Sequence, residues 1–238
     1  MSRTLDTIRN IKLYQSRSGY RFTIDSVLLA DYVRKVKPHN IVDVGSGNGI
    51  VGILLAKKYI SSRVAMIEIQ KGLHDLSVRN IALNRLKSRI TPYNIDIRDI
   101  EDRSALKEHS FDIAVSNPPF RIPRSGKISP YNEKAIARHE IMISLDRLIG
   151  GIACLLRPKG SAYLIYHPER LVDLFDQMRE KGIEPKRARF IHPNDHVEAK
   201  MVLVEGVKGA RTSVKIEKPL FIYNKDNEYT EEVQEILK

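Results

Sequence analysis

From Asn40 to Gly206, short apolar runs alternate with amphipathic stretches, and no other feature of the sequence restricts the fold as strongly. NIVDVGS (40–46), RVAMIEI (63–69), ITPYNIDI (90–97), FDIAVSN (111–117) and GSAYLIYH (160–167) have the length and β-branched content of buried strands. Pro92 weakens the third of them at its start. Between them, GIVGILLAKKY (49–59), QKGLHDLSVRNIALNRL (70–86) and IMISLDRLIGGIACLLRP (141–158) read as helices. PERLVDLFDQMREKG (168–182) adds a fourth, with Pro168 near its start and Gly182 at its end, as capping rules prefer. Strands that alternate with helices need crossover connections, which predicts a mostly parallel α/β sheet with helices on both faces. RARFIHP (187–193) and KMVLVEG (200–206) have only a short loop between them and should pair as an antiparallel hairpin. The expectation is seven strands with the last one reversed.

Around this core, IDSVLLADYVRKV (24–36) reads as one extra helix capped by Asp25. Residues 207–238 read as a polar tail around the apolar run PLFIY (219–223). The predicted organisation is one domain over 1–238, with an extension at 1–39, a core at 40–206 and a tail at 207–238. A chain of 238 residues with 42% hydrophobic content can bury one substantial core. LIGGIACLL (148–156) is its longest apolar stretch and is far too short to span a bilayer. MSRTLDTIRNIKLYQ (1–15) lacks the apolar run of a secretory signal. Cys154 is the only cysteine, which excludes an intramolecular disulfide and a multi-cysteine zinc site. These features predict a cytoplasmic protein with no membrane partner. The net charge of +11 points to a polyanionic partner, because phosphate contacts dominate nucleic-acid affinity. The excess is clustered. Arg3, Arg9, Lys12, Arg17, Arg21, Arg34, Lys35 and Lys37 fall early, and Arg121, Arg124, Lys127, Lys134 and Arg138 follow the fourth strand.

VDVGSGNGIVG (42–52) joins the first strand to its helix. Its spacing reads two ways: Gly47, Gly49 and Gly52 match GxGxxG, while Gly45, Gly47 and Gly49 match GxGxG behind Asp43. Glycines allow a tight turn and a close ligand, and the helix start offers free N–H groups. No Gly-Lys-Ser/Thr follows, so the loop is not a P-loop. Glu68 ends the second strand, where a carboxylate accepts from ribose hydroxyls, and Asp96 near the end of the third suits an adenine amino group. The carboxyl end of the fourth strand then presents Asn117-Pro118-Pro119-Phe120. Two prolines end the strand and also fix the carbonyls around them.

VDVGSGNG with Glu68, Asp96 and SNPPF resembles the S-adenosylmethionine-dependent methyltransferases that modify a planar nitrogen, whose motif is (Asn/Asp/Ser)-Pro-Pro-(Tyr/Phe). The resemblance implies a Rossmann-like class I fold and S-adenosylmethionine as cofactor. An exocyclic amine is a poor nucleophile because its lone pair is delocalised into the ring. The Asn117 oxygen and the Pro118 carbonyl would both accept from that amine and draw it towards tetrahedral geometry, while Phe120 stacks on the substrate plane. YRFTIDSVLLADYV (20–33), ARHE (137–140), VLVEGVKGA (202–210), PLFIY and EYTEEV extend the resemblance to the bacterial tRNA adenine-N6 methyltransferases, which modify the adenine 3′ of the anticodon in a valine tRNA. That family implies tRNA as partner and places Arg21, Phe22 and Asp25 over the cofactor. Arg121, Arg124, Lys127 and Arg138 are the corresponding candidates for RNA contact.

Ribosomal guanine methyltransferases share the Asn-Pro-Pro-aromatic element, and a non-catalytic RNA-binding module could retain the fold. Protein-glutamine methyltransferases also share it but carry a helical amino-terminal domain, for which some forty residues before the first strand are too few. HPNDH (192–196) with Glu198 reads as a loop between two strands rather than a metal site, and the chemistry above needs no metal.

Overall fold

The computed structural model describes residues 3–16, 24–100, 106–118 and 145–238. Five strands lie parallel: β3 (Asn40–Val44), β4 (Arg63–Ile67), β5 (Ile90–Tyr93), β6 (Phe111–Ser116) and β7 (Leu156–Tyr166). β9 (Met201–Lys208) runs antiparallel between β7 and β8 (Ile183–His192), so the reversed last strand is as expected. The order across the sheet is β10-β8-β9-β7-β6-β3-β4-β5, with β10 at Lys215–Ile216.

Alternate residues of the strands feed two apolar layers. Ile41, Met66, Ile113, Val115 and Ile165 pack with α1 (Ile24–Tyr32) and α2 (Ile50–Lys58). Val42, Val44, Ile67, Ala114 and Leu164 pack with α4 (Leu145–Leu155) and α5 (Leu171–Glu180). α3 (Lys71–Leu83) crosses between β4 and β5. The period of two along each strand against helical faces is what a doubly covered sheet requires.

Three expectations need correction. Residues before Asn40 hold more than one helix: β1 (Arg3–Ile8) and β2 (Ile11–Ser16) form an antiparallel hairpin. Ile11, Leu13 and Gln15 are buried while Lys12 is exposed, the alternation of a half-buried strand. The tail is part of the sheet, because β10 and β11 (Leu220–Phe221) both pair with β8, and α6 (Glu231–Leu237) packs back beside α1. Leu220, Ile222 and Val233 are buried there, and Arg189 on β8 makes a bidentate pair with Glu232, both bonds at 2.8 Å. Finally, α4 ends at Leu155 rather than at Pro158, because Leu156 already pairs with Phe111 in the sheet.

α2 carries the glycine loop at its amino end, and its other end is held by Arg89. One guanidinium nitrogen donates to Ala56 O (2.6 Å), Tyr59 O (3.2 Å) and Ile60 O (3.0 Å). A cation on terminal helix carbonyls satisfies orphan acceptors and opposes the negative dipole end. Arg89→Ala should therefore lower stability by about 1–3 kcal/mol, the usual range for lost charged hydrogen bonds. Urea unfolding with an unchanged m-value would show this as a lower midpoint; an unmoved midpoint would mean the cap carries no net stability.

Candidate active site

The carboxyl ends of β3, β4 and β6 meet at one edge of the sheet. β3 ends at Val44, and the loop Gly45–Gly49 leads directly into α2. Gly45 and Ser46 both donate their N–H to Ile67 O at 2.9 Å, so the turn hangs on the end of the neighbouring strand. Gly49 has φ +89°, where a side chain is strained, and a Cβ there would sit a tight 3.1 Å from Ser77 Cβ. Gly45 has φ +71°, but a Cβ there would meet nothing within 4 Å, so the chain leaves room beside the loop.

Glu68 follows β4 and is 5% exposed. Its Oε2 accepts from Gly47 N at 2.8 Å and its Oε1 from Gln70 N at 2.8 Å. Burial raises its pKa, and these backbone donors oppose the rise. Each carboxylate oxygen has a second acceptor direction, so a vicinal diol can still be held. Asp43 is 1% exposed and accepts from Gly52 N at 2.9 Å. Burial pushes its pKa up to about 7, the Gly52 N–H works against that, and the Glu68 charge adds to it. In the same loop Ser46 Oγ and Asn48 Nδ2 are buried and have no hydrogen-bond partner among the described residues. Room beside Gly45, unpaired polar atoms and the Glu68 carboxylate fit a ligand bearing hydroxyls, as S-adenosylmethionine does.

Beyond β6 stands Asn117, half-buried, with Pro118 after it. Ser116 Oγ donates to Val44 O at 2.8 Å, fastening the end of β6 to the end of β3. Asn117 Nδ2 donates to Ser26 Oγ on α1 at 3.1 Å. Asp25 lies in the first turn of that helix, inside it rather than capping it, and acidic residues are favoured at that dipole end. Asp96 is placed differently from the sequence expectation. β5 stops at Tyr93, and Asp96 caps a 3-10 turn at Ile97–Asp99, accepting from Arg98 N at 2.9 Å and Arg98 Nε at 2.7 Å. Arg21, Phe22, Pro119, Phe120, Arg121, Arg124, Lys127 and Arg138 lie outside the described residues.

The early basic cluster divides. Arg9 Nε bonds Ile236 O at 2.7 Å, and Arg34 pairs with Glu217 at 3.4 Å. Lys35 Nζ reaches Lys159 O at 2.8 Å and Ser161 Oγ at 3.3 Å, near the amino end of β6 and away from Asn117. In the HPNDH loop, His192 Nδ1 sits 2.9 Å from Val197 O and His196 lies beside Asp195. Among the described residues no group of three His, Cys, Asp or Glu side chains is placed to hold a metal ion, and no helix is long and apolar enough to cross a membrane.

Residues 18–136, half of the chain, match the model of the methyltransferase small domain. The chain belongs to that family. Curated relatives carry the name tRNA1(Val) (adenine(37)-N6)-methyltransferase. The one from Porphyromonas gingivalis is 29% identical, covering 84% of this chain and 79% of its own length. That from Phocaeicola vulgatus is 27% identical, covering 83% and 81%. Among solved structures, a predicted O-methyltransferase from Agrobacterium tumefaciens superposes with a TM-score of 0.72 at 20% identity, over 89% of this chain and 94% of that one. Geranyl diphosphate C-methyltransferase from Streptomyces coelicolor, with Mg2+, geranyl diphosphate and S-adenosyl-L-homocysteine in its crystal, gives 0.59 at 11% identity over 77% and 76%. The fold of this methyltransferase is thus the class I fold.

The protonation of Asp43 makes a stability prediction. An unfolded aspartate loses its proton near pH 4, whereas folded Asp43 keeps it up to about pH 7. The folded state binds more protons in that window, so this group's contribution to stability falls as pH rises from 4 to 7 and is level above. Asp43→Asn removes that slope. Urea unfolding of the ligand-free protein at pH 5 and pH 8 should show the variant losing less stability than the parent. Parallel losses would contradict the placement of Asp43 as a buried, protonated acid.

Proposed function

We propose that this methyltransferase transfers the methyl group of S-adenosylmethionine to the exocyclic 6-amino group of an adenine in tRNA, next to the anticodon. The observation that carries this is Asn117, held at the carboxyl end of β6 with its NH2 group turned onto Ser26. That leaves Oδ1 as the acceptor at the edge where the glycine loop and Glu68 also lie. The names of the relatives, which specify adenine 37 of tRNA1(Val), support the choice of adenine and of tRNA over guanine or a glutamine side chain. The net charge of +11 suits a polyanionic substrate.

The cofactor supplies an electrophilic methyl on a sulfonium, so this chain has only to bind, orient and accept hydrogen bonds. Glu68 would take the ribose hydroxyls with its remaining lone pairs. Asp96, held by Arg98, would accept from the cofactor's adenine amine. Asn117 Oδ1 and the Pro118 carbonyl would accept the two hydrogens of the substrate amine. As the nitrogen–carbon bond forms and the carbon–sulfur bond breaks, the nitrogen gathers positive charge and these two bonds, in place before the reaction, strengthen; the nitrogen then gives up one proton to water. Proline at 118 keeps the acceptor pair from reorganising. Phe120 would stack on the extruded base, and Arg121, Arg124, Lys127 and Arg138 would meet phosphates.

The reading predicts N6-methyladenosine, and no N2-methylguanosine, when a valine tRNA transcript is incubated with the protein and methyl-labelled cofactor. Nucleoside mass spectrometry decides it; label in guanosine, or in protein only, would overturn it. Asn117→Ala should keep cofactor and tRNA affinity while slowing single-turnover transfer by about a hundred-fold, the usual loss for one transition-state hydrogen bond of this kind. Transfer at the parental rate would show that Asn117 merely ends a strand.

A further inference from the structure

We infer that Ser26 is a positioning residue for catalysis, acting only through Asn117 by fixing which end of its amide faces the substrate. The inference rests on the reading of Asn117 as acceptor of the substrate amine. A side-chain amide presents an acceptor on one end and two donors on the other, and its terminal torsion is broad and roughly two-fold. Nothing in the backbone of β6 chooses between those ends. The residue before it is tied down, since Ser116 is fully buried and bonded to Val44 O at 2.8 Å, but that bond leaves the Asn117 amide free to turn.

Ser26 takes one of those ends, its hydroxyl oxygen accepting from the NH2 group. It is 1% exposed in the first turn of α1, ninety-one residues away in sequence, and its Oγ accepts from Asn117 Nδ2 at 3.1 Å. The amide NH2 is then committed to a buried hydroxyl, and Oδ1 is the end left for an incoming amine. The opposite orientation would set donors of Asn117 against donors of the substrate amine, which repel and cannot draw the amine towards tetrahedral geometry. α1 itself is held firmly enough to act as a reference. Val27, Leu28, Leu29 and Ala30, the four residues after Ser26, are all at most 1% exposed, and Tyr32 carries the Arg187 guanidinium 4.6 Å from its ring centre. The sequence of the motif supplies the acceptor, and a different element of the fold supplies its orientation.

The test is a double-mutant cycle in single-turnover methylation of a valine tRNA transcript with saturating labelled S-adenosylmethionine. Losing one neutral hydrogen bond that biases the amide should make Ser26→Ala about three- to ten-fold slower than the parent, with cofactor and tRNA dissociation constants unchanged. In the Asn117→Ala background the same Ser26→Ala change should cost nothing further, because there is no amide left to orient. The same fold-loss in both backgrounds, or a loss that comes with weakened cofactor binding, would make Ser26 a merely structural residue and overturn the inference. So would a parental rate for Ser26→Ala while Asn117→Ala is slow. A parental rate for Asn117→Ala itself would instead remove the reading of Asn117 on which the inference stands.

Discussion

The pair of hydrogen bonds from Gly47 N and Gln70 N to the Glu68 carboxylate is the contact on which the rest of the site depends. It joins three things that the chain supplies separately: the end of β4, the turn behind β3 and the start of α3. A carboxylate that is 5% exposed is costly unless it is hydrogen-bonded, and here its partners are backbone N–H groups of the glycine loop and of the start of α3. The loop is then fixed at the height where Asp43 accepts from Gly52 N and where Gly45 leaves space.

From that fixed edge the geometry spreads sideways through the sheet. Ser116 ties the end of β6 to the end of β3, which places Asn117 beside the loop that follows β3. Asn80 performs a similar service on the other side. Its Nδ2 reaches both Asn48 O (2.9 Å) and Tyr14 O (3.1 Å), and its Oδ1 accepts from Tyr14 N at 2.7 Å. One buried asparagine thereby couples the amino-terminal hairpin to the glycine loop. At the far edge, Arg187 lies between Glu205 and Glu217 and over Tyr32, linking α1 to the antiparallel strands. Much of the positive charge near these elements is therefore spent on holding the fold. The basic residues available to a polyanion are fewer than the net charge alone suggests.

Sequence pattern was enough for the parallel core, because runs such as NIVDVGS and FDIAVSN are bounded by turns and buried on both faces. The same pattern puts Asp43, Glu68 and Asn117 at or just beyond strand ends, and the structure puts them there too, since each strand run is bounded by a turn signal. The amino-terminal hairpin leaves a trace in the alternation Ile11, Leu13, Gln15 against Lys12, but each strand is only six residues long and one inward position is a polar glutamine. The tail looks polar because its buried residues are few and spread over two elements: Leu220 and Ile222 at the short strand beside β8, and Val233 alone on α6. Asp96 shows a different limit. Pairing with β4 runs only to Tyr93, and the acid three residues on prefers to cap a turn, a choice settled by its neighbour Arg98. Ser26, Ser46 and Asn48 had no sequence signal, since what singles them out is a partner, or its absence among the described residues, that only the folded chain reveals.

The central claim is that Glu68 serves the loop and the cofactor at once, and calorimetric titration of Glu68→Gln with S-adenosylmethionine tests it most directly. The variant keeps the shape of the side chain but replaces one acceptor oxygen with a donor, facing either a backbone N–H or a ribose hydroxyl. If the account holds, affinity falls by about 1–3 kcal/mol, in the range for lost charge-assisted hydrogen bonds, in a protein whose unfolding remains cooperative. Parental affinity in such a folded variant would contradict it.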